Sequence, residues 1–458
     1  MYELLKTIMI DDLQLEADQV SPDVSREDAG LDSLATFELS LALSQRLGIK
    51  IADEELFSLK TLADIAEFIE KRTAGLPSFP GETGSQAVDH AEVSEDAGLA
   101  RLLGVPDSFR PDCPSGLARA ADGRAYLLSR NETPFQPPES VVNAITRAAA
   151  EANRYPDPAC GALLAELARH FDVSPDHIAV GAGSITLIQA LLAVTTEPGA
   201  AAVYSWPSFD GYSVLADLAG FRSVRVPLAA GKHDLDALAA AVDERTRLVL
   251  VCNPNNPTGT ASSEDDLLRF LDSVPRTCLV VLDEAYCEYA RDPGLGVRLL
   301  RSWPNLIVAR TFSKAYGLAG LRVGYMLADP CLVSRIQRMI MPLSVSDVAQ
   351  AAAIASLAAE TELLSRVQHT VAERDRVRAA MLALGFDVPP SEANFIWLPL
   401  GSRTQEFAVT CASVGVNVRP YPDEGVRVTI GTAEDNNAFL AAAKQYGLDR
   451  MGAVGPNF

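Results

Sequence analysis

The stretch TFSKAYGLAGLRVGY, residues 311–325, decides how this chain is read. It follows the apolar run LIVAR (306–310) and passes into LRVGYML (321–327), so it spans a turn between two strands. Lys314 then lies just past a strand end, flanked by small and apolar residues. A lysine in such a place loses hydration, which lowers its pKa and makes it nucleophilic. Two more strand ends carry polar clusters: NPNNPTG (253–259) follows RLVLVC, and DEAY (283–286) closes CLVVLDEAY. Asp283 ends an apolar strand, and a partly buried carboxylate there calls for a cationic partner. Thr311, Ser313 and Arg322 carry donors suited to a phosphate. Ligands of open α/β sheets bind at strand ends, so the three clusters are expected to form one site.

Working outward, apolar runs of strand length recur: HIAVGAG (177–183), AAVYSW (201–206), RLVLVCNP (247–254) and the three already quoted. Helical stretches such as SITLIQALLAV and EDDLLRFLDSV separate them. This alternation predicts a large α/β domain with a mostly parallel sheet over about residues 150–340. Residues 101–149 and 341–458 mix helices with short strands and read as a smaller α+β lobe.

The first sixth of the chain has a different character. Of the formal net charge of −21, residues 1–72 carry −9 and residues 73–100 a further −5. Residues 73–100 are rich in Gly, Pro, Ser and acids without an apolar period, the composition of a flexible linker. Residues 1–72 read as a bundle of three or four helices. Leu4, Leu5, Ile8 and Leu13 mark a first helix; Leu34, Phe37 and Leu41, behind Ser33, a second. Thr61-x-x-Asp64 resembles a capping box before a last helix with Leu62, Ile65 and Ile69 inward. The whole is thus a multi-domain chain, a small all-α bundle followed by an α/β enzyme.

Composition excludes several classes. The acidic balance disfavours nucleic acid as a partner. No run of 18 apolar residues predicts a membrane span. The N-terminus lacks the basic start of a signal peptide, and the seven cysteines are scattered with no C-x-x-C pair. Together these point to a cytoplasmic protein without a disulfide framework or metal site.

A reactive lysine, a buried carboxylate and a phosphate clamp are the anchor set of pyridoxal 5′-phosphate. From about residue 125 to 448 the chain resembles the class I/II pyridoxal-phosphate-dependent aminotransferases, most of all their histidinol-phosphate aminotransferase branch. The resemblance implies that Lys314 bonds the cofactor covalently and acts as general acid/base, with Asp283 paired to the pyridine nitrogen. It implies that Asn256 and Tyr286 bond the ring oxygen O3′ and that Phe209, in SWPSFDGY, stacks on the ring. Ser184, the backbone of Ile185, Thr311, Ser313 and Arg322 would hold the phosphate. Ser184 also reads as the cap of its helix, a role compatible with a phosphate at a helix N-terminus. Tyr155, in RYPDP, would reach the phosphate site of a neighbouring subunit, which implies a homodimer. Arg427, in GVRVTIG, would hold a substrate carboxylate or a distal acidic group. RNETPF (130–135) would be an arm that closes over the site. Ile185 and Thr186 replace the Asp-Glu of many histidinol-phosphate enzymes, which disfavours that substrate. Tyr286 stands where carbon–carbon-forming relatives usually place His, which favours transamination; a decarboxylase or a carbon–carbon-forming enzyme remains an alternative.

Residues 1–72 resemble an acyl carrier protein through GLDSL (30–34) and Glu38-Leu39. The resemblance implies that Ser33 carries 4′-phosphopantetheine, added by a phosphopantetheinyl transferase. The other reading of Ser33 is an ordinary helix N-cap. Asp32, Glu38, Asp53, Glu54 and Glu55 would offer an acidic face to acyl-loading or other biosynthetic enzymes. A 28-residue flexible linker has a reach of roughly 30 Å, so the arm could bring a tethered intermediate to the enzyme's own site. Transamination of such an intermediate in secondary metabolite biosynthesis is the expected function. The alternative is transamination of free amino or keto acids, with the carrier serving only for docking and delivery.

Overall fold

The computed structural model divides the chain into two units, residues 1–93 and 94–458. It describes residues 117–120 and 122–453 almost without a break; N-terminally it describes 2–7, 9, 20–22, 24, 25, 29, 31, 36, 39, 43, 51, 55, 56 and 59–73.

In chain order the strands of the second unit are β1 (Tyr126–Leu127), β2 (Ile178–Gly181), β3 (Ala201–Trp206), β4 (Arg222–Pro227), β5 (Thr246–Cys252), β6 (Leu279–Asp283), β7 (Leu306–Thr311), β8 (Gly324–Leu327), β9 (Phe395–Leu398), β10 (Val416–Asn417), β11 (Arg419–Tyr421) and β12 (Gly425–Thr429). β2 to β8 form one seven-stranded sheet in the order β2-β8-β7-β6-β5-β3-β4. Every strand of it runs the same way except β8, which is antiparallel to both neighbours. Each of the six runs expected to be strands lies in this sheet. The seventh strand, RSVRVP (β4), has no apolar run because it sits at the sheet edge, where most of its side chains keep contact with water.

The central strands are apolar on both faces because both faces are covered. Along β5, Leu248 and Leu250 pack into one core with the helices Ser184–Thr195 and Gly211–Leu218. Val249 and Val251 pack into another with the helices Leu235–Ala240, Glu264–Ser273 and Leu295–Leu300. A third core joins the helices Glu139–Ala149, Gly161–Phe171 and Asp347–Ala358 to Ile178, Phe312 and Tyr325. The first and last of these helices lie within the ranges expected of the small lobe; they pack on each other and share this core with residues of β2 and β8. Alanines at 349, 352 and 353 allow that close approach.

The core of the small lobe begins at Leu128 and resumes at Val377. It covers the antiparallel sheet β11-β12-β9 and the parallel pair β1-β10, in which Tyr126 pairs with Val416. The helix Glu360–Ala383 leads into it.

In the N-terminal unit the helices Tyr2–Thr7 and Leu62–Thr73 are described. Leu5, Leu31, Leu39, Leu43, Leu62, Ile65 and Ile69 share its core. The capping box is formed: the Thr61 N–H donates to Asp64 (2.9 Å) and the Asp64 N–H to the Thr61 hydroxyl (3.2 Å). Ser33, Leu34, Phe37 and Leu41, the acidic residues 32, 38, 53 and 54, and residues 74–100 of the expected linker lie outside the described residues. Glu55 is described, and it is paired with Arg72.

Candidate active site

Sheet register gathers the site. Cys252, Asp283 and Ala309 are paired neighbours at the carboxyl ends of β5, β6 and β7. The antiparallel β8 starts at that same edge, where Gly324 pairs with both Gly181 and Thr311. Residues after β2, β5, β6 and β7 and residues before β8 therefore converge. They line a cavity of about 890 Å³ that contains Ser184, Ile185, Phe209, Asn256, Asp283, Tyr286, Thr311, Ser313, Lys314, Arg322 and Arg427. Every residue expected in the site of this unit lines it except Tyr155, which is 85% exposed on the single chain.

Asp283 is buried on the cavity floor. Its carboxylate accepts the Tyr212 hydroxyl (2.8 Å) and the Ala285 N–H (3.2 Å). Burial raises its pKa to about 6, and the Tyr212 hydrogen bond opposes that rise. Such a carboxylate is suited to a cationic partner. Lys314 Nζ donates to the Arg130 carbonyl (3.2 Å) and lies 5.8 Å from the centre of the Tyr286 ring. Burial, with Arg427 adding to it, lowers its pKa to about 8. About a tenth is then uncharged at pH 7, far more than for an ordinary lysine.

The phosphate-side residues form a linked set. Thr311 Oγ1 donates to Ser313 Oγ (3.0 Å) and accepts the Ser313 N–H (3.1 Å). Arg322 donates to Ser313 Oγ (3.3 Å) and to the Ala319 carbonyl (3.0 Å). Gly183 caps the helix Ser184–Thr195 at φ +88°, so the cap falls one residue before Ser184. A Cβ on Gly183 would stand 2.6 Å from Arg322 Nη2. The glycine thus keeps open a cradle formed by a helix N-terminus and an arginine, a pairing suited to phosphate.

Arg427 is buried. It donates to Asn256 Oδ1 (2.6 Å) and the Tyr421 hydroxyl (3.3 Å), while its Nε has no partner. The Asn256 bond leaves that residue's amide N–H groups for a ligand. Sequence reading missed two supporting residues. Tyr212 bonds Asp283, as above. Asn131, at φ 55°, donates to the Tyr286 hydroxyl (2.9 Å) and is pinned to Thr429 on β12 through its N–H (2.9 Å) and its Oδ1 (3.0 Å). Tyr212 lies in SWPSFDGY and Asn131 in the polar RNETPF, and only the packing sets which residue of each stretch faces Asp283 or Tyr286.

Reactive lysine, buried carboxylate and glycine-floored phosphate cradle at the strand ends of a three-layer α/β sheet fit pyridoxal 5′-phosphate and define a pyridoxal-phosphate-dependent transferase. Residues 125–442 match the family model "Aminotransferase class I and II", and the chain belongs to that family. Residues 3–69 match the model "Phosphopantetheine attachment site", so the enzyme is fused to a carrier domain whose prosthetic group is 4′-phosphopantetheine. An aromatic amino acid aminotransferase of Thermobifida fusca is 56% identical over 347 residues, 75% of this chain and 97% of that protein. One from Streptomyces coelicolor is 50% identical over 76% of this chain and 96% of its own length. The structure of histidinol-phosphate aminotransferase from Sinorhizobium meliloti with pyridoxal 5′-phosphate superimposes with a TM-score of 0.68 at 31% identity, covering 79% of this chain and 96% of that one. L-threonine-O-3-phosphate decarboxylase from Porphyromonas gingivalis, 21% identical with a TM-score of 0.61 over 70% of this chain and 98% of its own, shares the fold.

Among the described residues no helix is long and apolar enough to cross a membrane, no group of side chains could hold a metal, and the six described cysteines are free.

Proposed function

We propose that this aminotransferase exchanges amino groups between a free amino acid and a carbonyl group borne on the phosphopantetheine arm of its own carrier domain, within secondary metabolite biosynthesis. What carries the reading is the presence, on one chain, of a phosphopantetheine attachment domain and a cavity built for pyridoxal phosphate.

When bound, pyridoxal phosphate supplies a sink for the electrons released as the amino-bearing carbon loses its proton. Lys314 would hold the cofactor covalently at rest and, as a free amine, would serve as the general acid/base that moves that proton. Asp283 would pair with the pyridine nitrogen, and Tyr286 and Asn256 would bond O3′. Phe209 would pack against the ring. Ser184, the Ile185 N–H, Thr311, Ser313 and Arg322 would hold the phosphate, helped in a homodimer by Tyr155 of the partner subunit. Arg427, which lines the cavity, would take the donor carboxylate. The donor leaves as a 2-oxo acid and the arm-borne carbonyl becomes an amine, so atoms and electrons balance without an external oxidant. A phosphopantetheinyl transferase and an acyl-loading enzyme complete the set of partners.

The test loads Ser33 with an oxoacyl thioester, adds cofactor and donor, and follows the mass of the Ser33 adduct. The expected change is that of C=O becoming CH–NH₂. An adduct that never changes while free oxo acids turn over overturns the reading. That outcome would support the second reading, transamination of free aromatic amino acids with the carrier as a delivery module, which the names of the close relatives favour.

A further inference from the structure

A second cavity, of about 650 Å³, shares no lining residue with the catalytic one. One of its walls is a single face of the helix Glu360–Ala383. Leu364, Val367, Val371, Arg374 and Arg378 recur at steps of three and four residues, so they form one stripe. The stripe changes character along its length of about 21 Å, at 1.5 Å per residue. Its first part is apolar, and its second part carries two arginines. The short helix Cys287–Tyr289 and residues 390–392 supply the rest of the lining.

Both arginines are fixed in place by the backbone. Arg374, which is buried, donates through Nη1 to the Ala393 carbonyl (3.1 Å) and through Nε to Asp375 (3.1 Å). Arg378 Nε donates to the carbonyls of Val388 (2.9 Å) and Pro389 (3.2 Å). Arg374 Nη2 and both terminal nitrogens of Arg378 have no hydrogen-bond partner among the described residues. The acids on the same cavity are mostly engaged. Asp375 is bonded to Arg374, and Glu392 accepts the Arg291 backbone N–H (3.0 Å) with the Arg291 guanidinium 3.5 Å away. Glu288 differs, for its Oε2 has no partner. Burial pushes its carboxyl up to about 7, so at pH 7 it opposes an anion less than an ordinary carboxylate does.

A fixed guanidinium with N–H groups to spare is suited to a carboxylate. The apolar stretch beside it is suited to a hydrocarbon or aryl body. We propose that this cavity is a second ligand site, for a carboxylic acid with an apolar body. The carboxylate meets Arg374 and Arg378, and the body lies along Leu364, Val367 and Val371. The site adjoins two segments that shape the catalytic cavity. Tyr286 is the N-cap of the helix Cys287–Tyr289, and the Glu392 N–H donates to the carbonyl of Gly259 (2.7 Å), three residues past Asn256. Aliphatic and aryl acids share this chemistry, and the choice of probe separates them.

Calorimetric titration at pH 7 tests the site without relying on turnover. The full-length, cofactor-bound chain carries Arg427→Gln throughout, so the catalytic cavity lacks that arginine. Octanoate and 3-phenylpropanoate are the probes, and the tighter of the two tells an aliphatic ligand from an aryl one. Adding Arg378→Gln should weaken the tighter probe at least tenfold. Leu364→Glu, at the apolar end and already 38% exposed, should do the same while leaving both arginines in place. Arg378→Lys keeps the charge and should lose less than Arg378→Gln. Cofactor absorbance retained in each variant reports an intact fold. Unchanged affinity in either Arg378→Gln or Leu364→Glu overturns the proposal, as does failure of both probes to bind. Octylamine binding as tightly as octanoate also overturns it, and would assign the cavity to a cation at Glu288.

Discussion

Asp283 shows how a single side chain sets the working range of the site. Its pKa is raised to about 6 by burial, above the ordinary carboxylate value. In the cofactor-free protein the proton it retains stabilises the fold at low pH, and that contribution is lost as pH rises through about 6. Asp283→Asn should therefore leave the apo protein as stable at pH 7, or more so, while cofactor affinity falls at least about a hundredfold; calorimetry and cofactor titration check the two halves. Tyr212→Phe removes the hydroxyl that holds the carboxylate ionised. The acidic limit of cofactor binding should move above about 6, with affinity near neutrality reduced about tenfold. Lys314 responds in the other direction. Arg427 is one of the charges that depress its pKa to about 8, so Arg427→Gln should shift the lysine's titration to higher pH and raise the donor KM. The pH dependence of the rate at which cofactor adds to the cofactor-free protein reads that shift. Lys314→Ala should abolish both turnover and the absorbance of the covalently held cofactor. The residues gathered in the cavity were legible because strand-end motifs declare them. Tyr212 and Asn131 were not, because each acts through a neighbour that only the packing brings within 3 Å.

At the scale of elements, the turn from β2 into the helix Ser184–Thr195 carries the tightest constraint. Gly183→Ala would force a side chain at φ +88° against Arg322. The expected outcome is loss of cofactor affinity by one to two orders of magnitude, roughly 1.4–2.8 kcal/mol, with the cofactor-free fold largely retained. In the carrier, Thr61→Ala removes one half of the capping box and should lower the stability of that unit by about 1 kcal/mol, seen as an earlier unfolding transition. The strands of the large sheet could be read because burial on both faces writes continuous apolar runs. β4 could not, since an edge strand alternates with solvent, nor could β1, β10 and β11, which are too short to carry a period. The helices Glu139–Ala149 and Asp347–Ala358 show a further limit. They lie far apart in sequence, and an alanine-rich surface on the second lets the two pack together in a core shared with β2 and β8.

For the whole molecule, Tyr155 gives the proposed homodimer a direct test. Its side chain is exposed on the single chain, while its segment is held by bonds from Asp157 N–H to Asp347 (3.1 Å) and from Gln350 to the Asp157 carbonyl (3.1 Å). Mixed dimers of Tyr155→Ala and Lys314→Ala chains would contain one site with both residues intact. Mixing the two variants should restore activity above that of either alone, measured after unfolding and refolding them together; no gain would remove Tyr155 from the partner's site. The pairing of β1 with β10 has a consequence of another kind. The Tyr126 carbonyl waits for Asn417, 291 residues further on. On a ribosome adding about 5–20 residues per second, that delay is on the order of 15–60 seconds. The carrier leaves the exit tunnel long before the small lobe can close, so it can receive its prosthetic group while the enzyme fused to it is still being made.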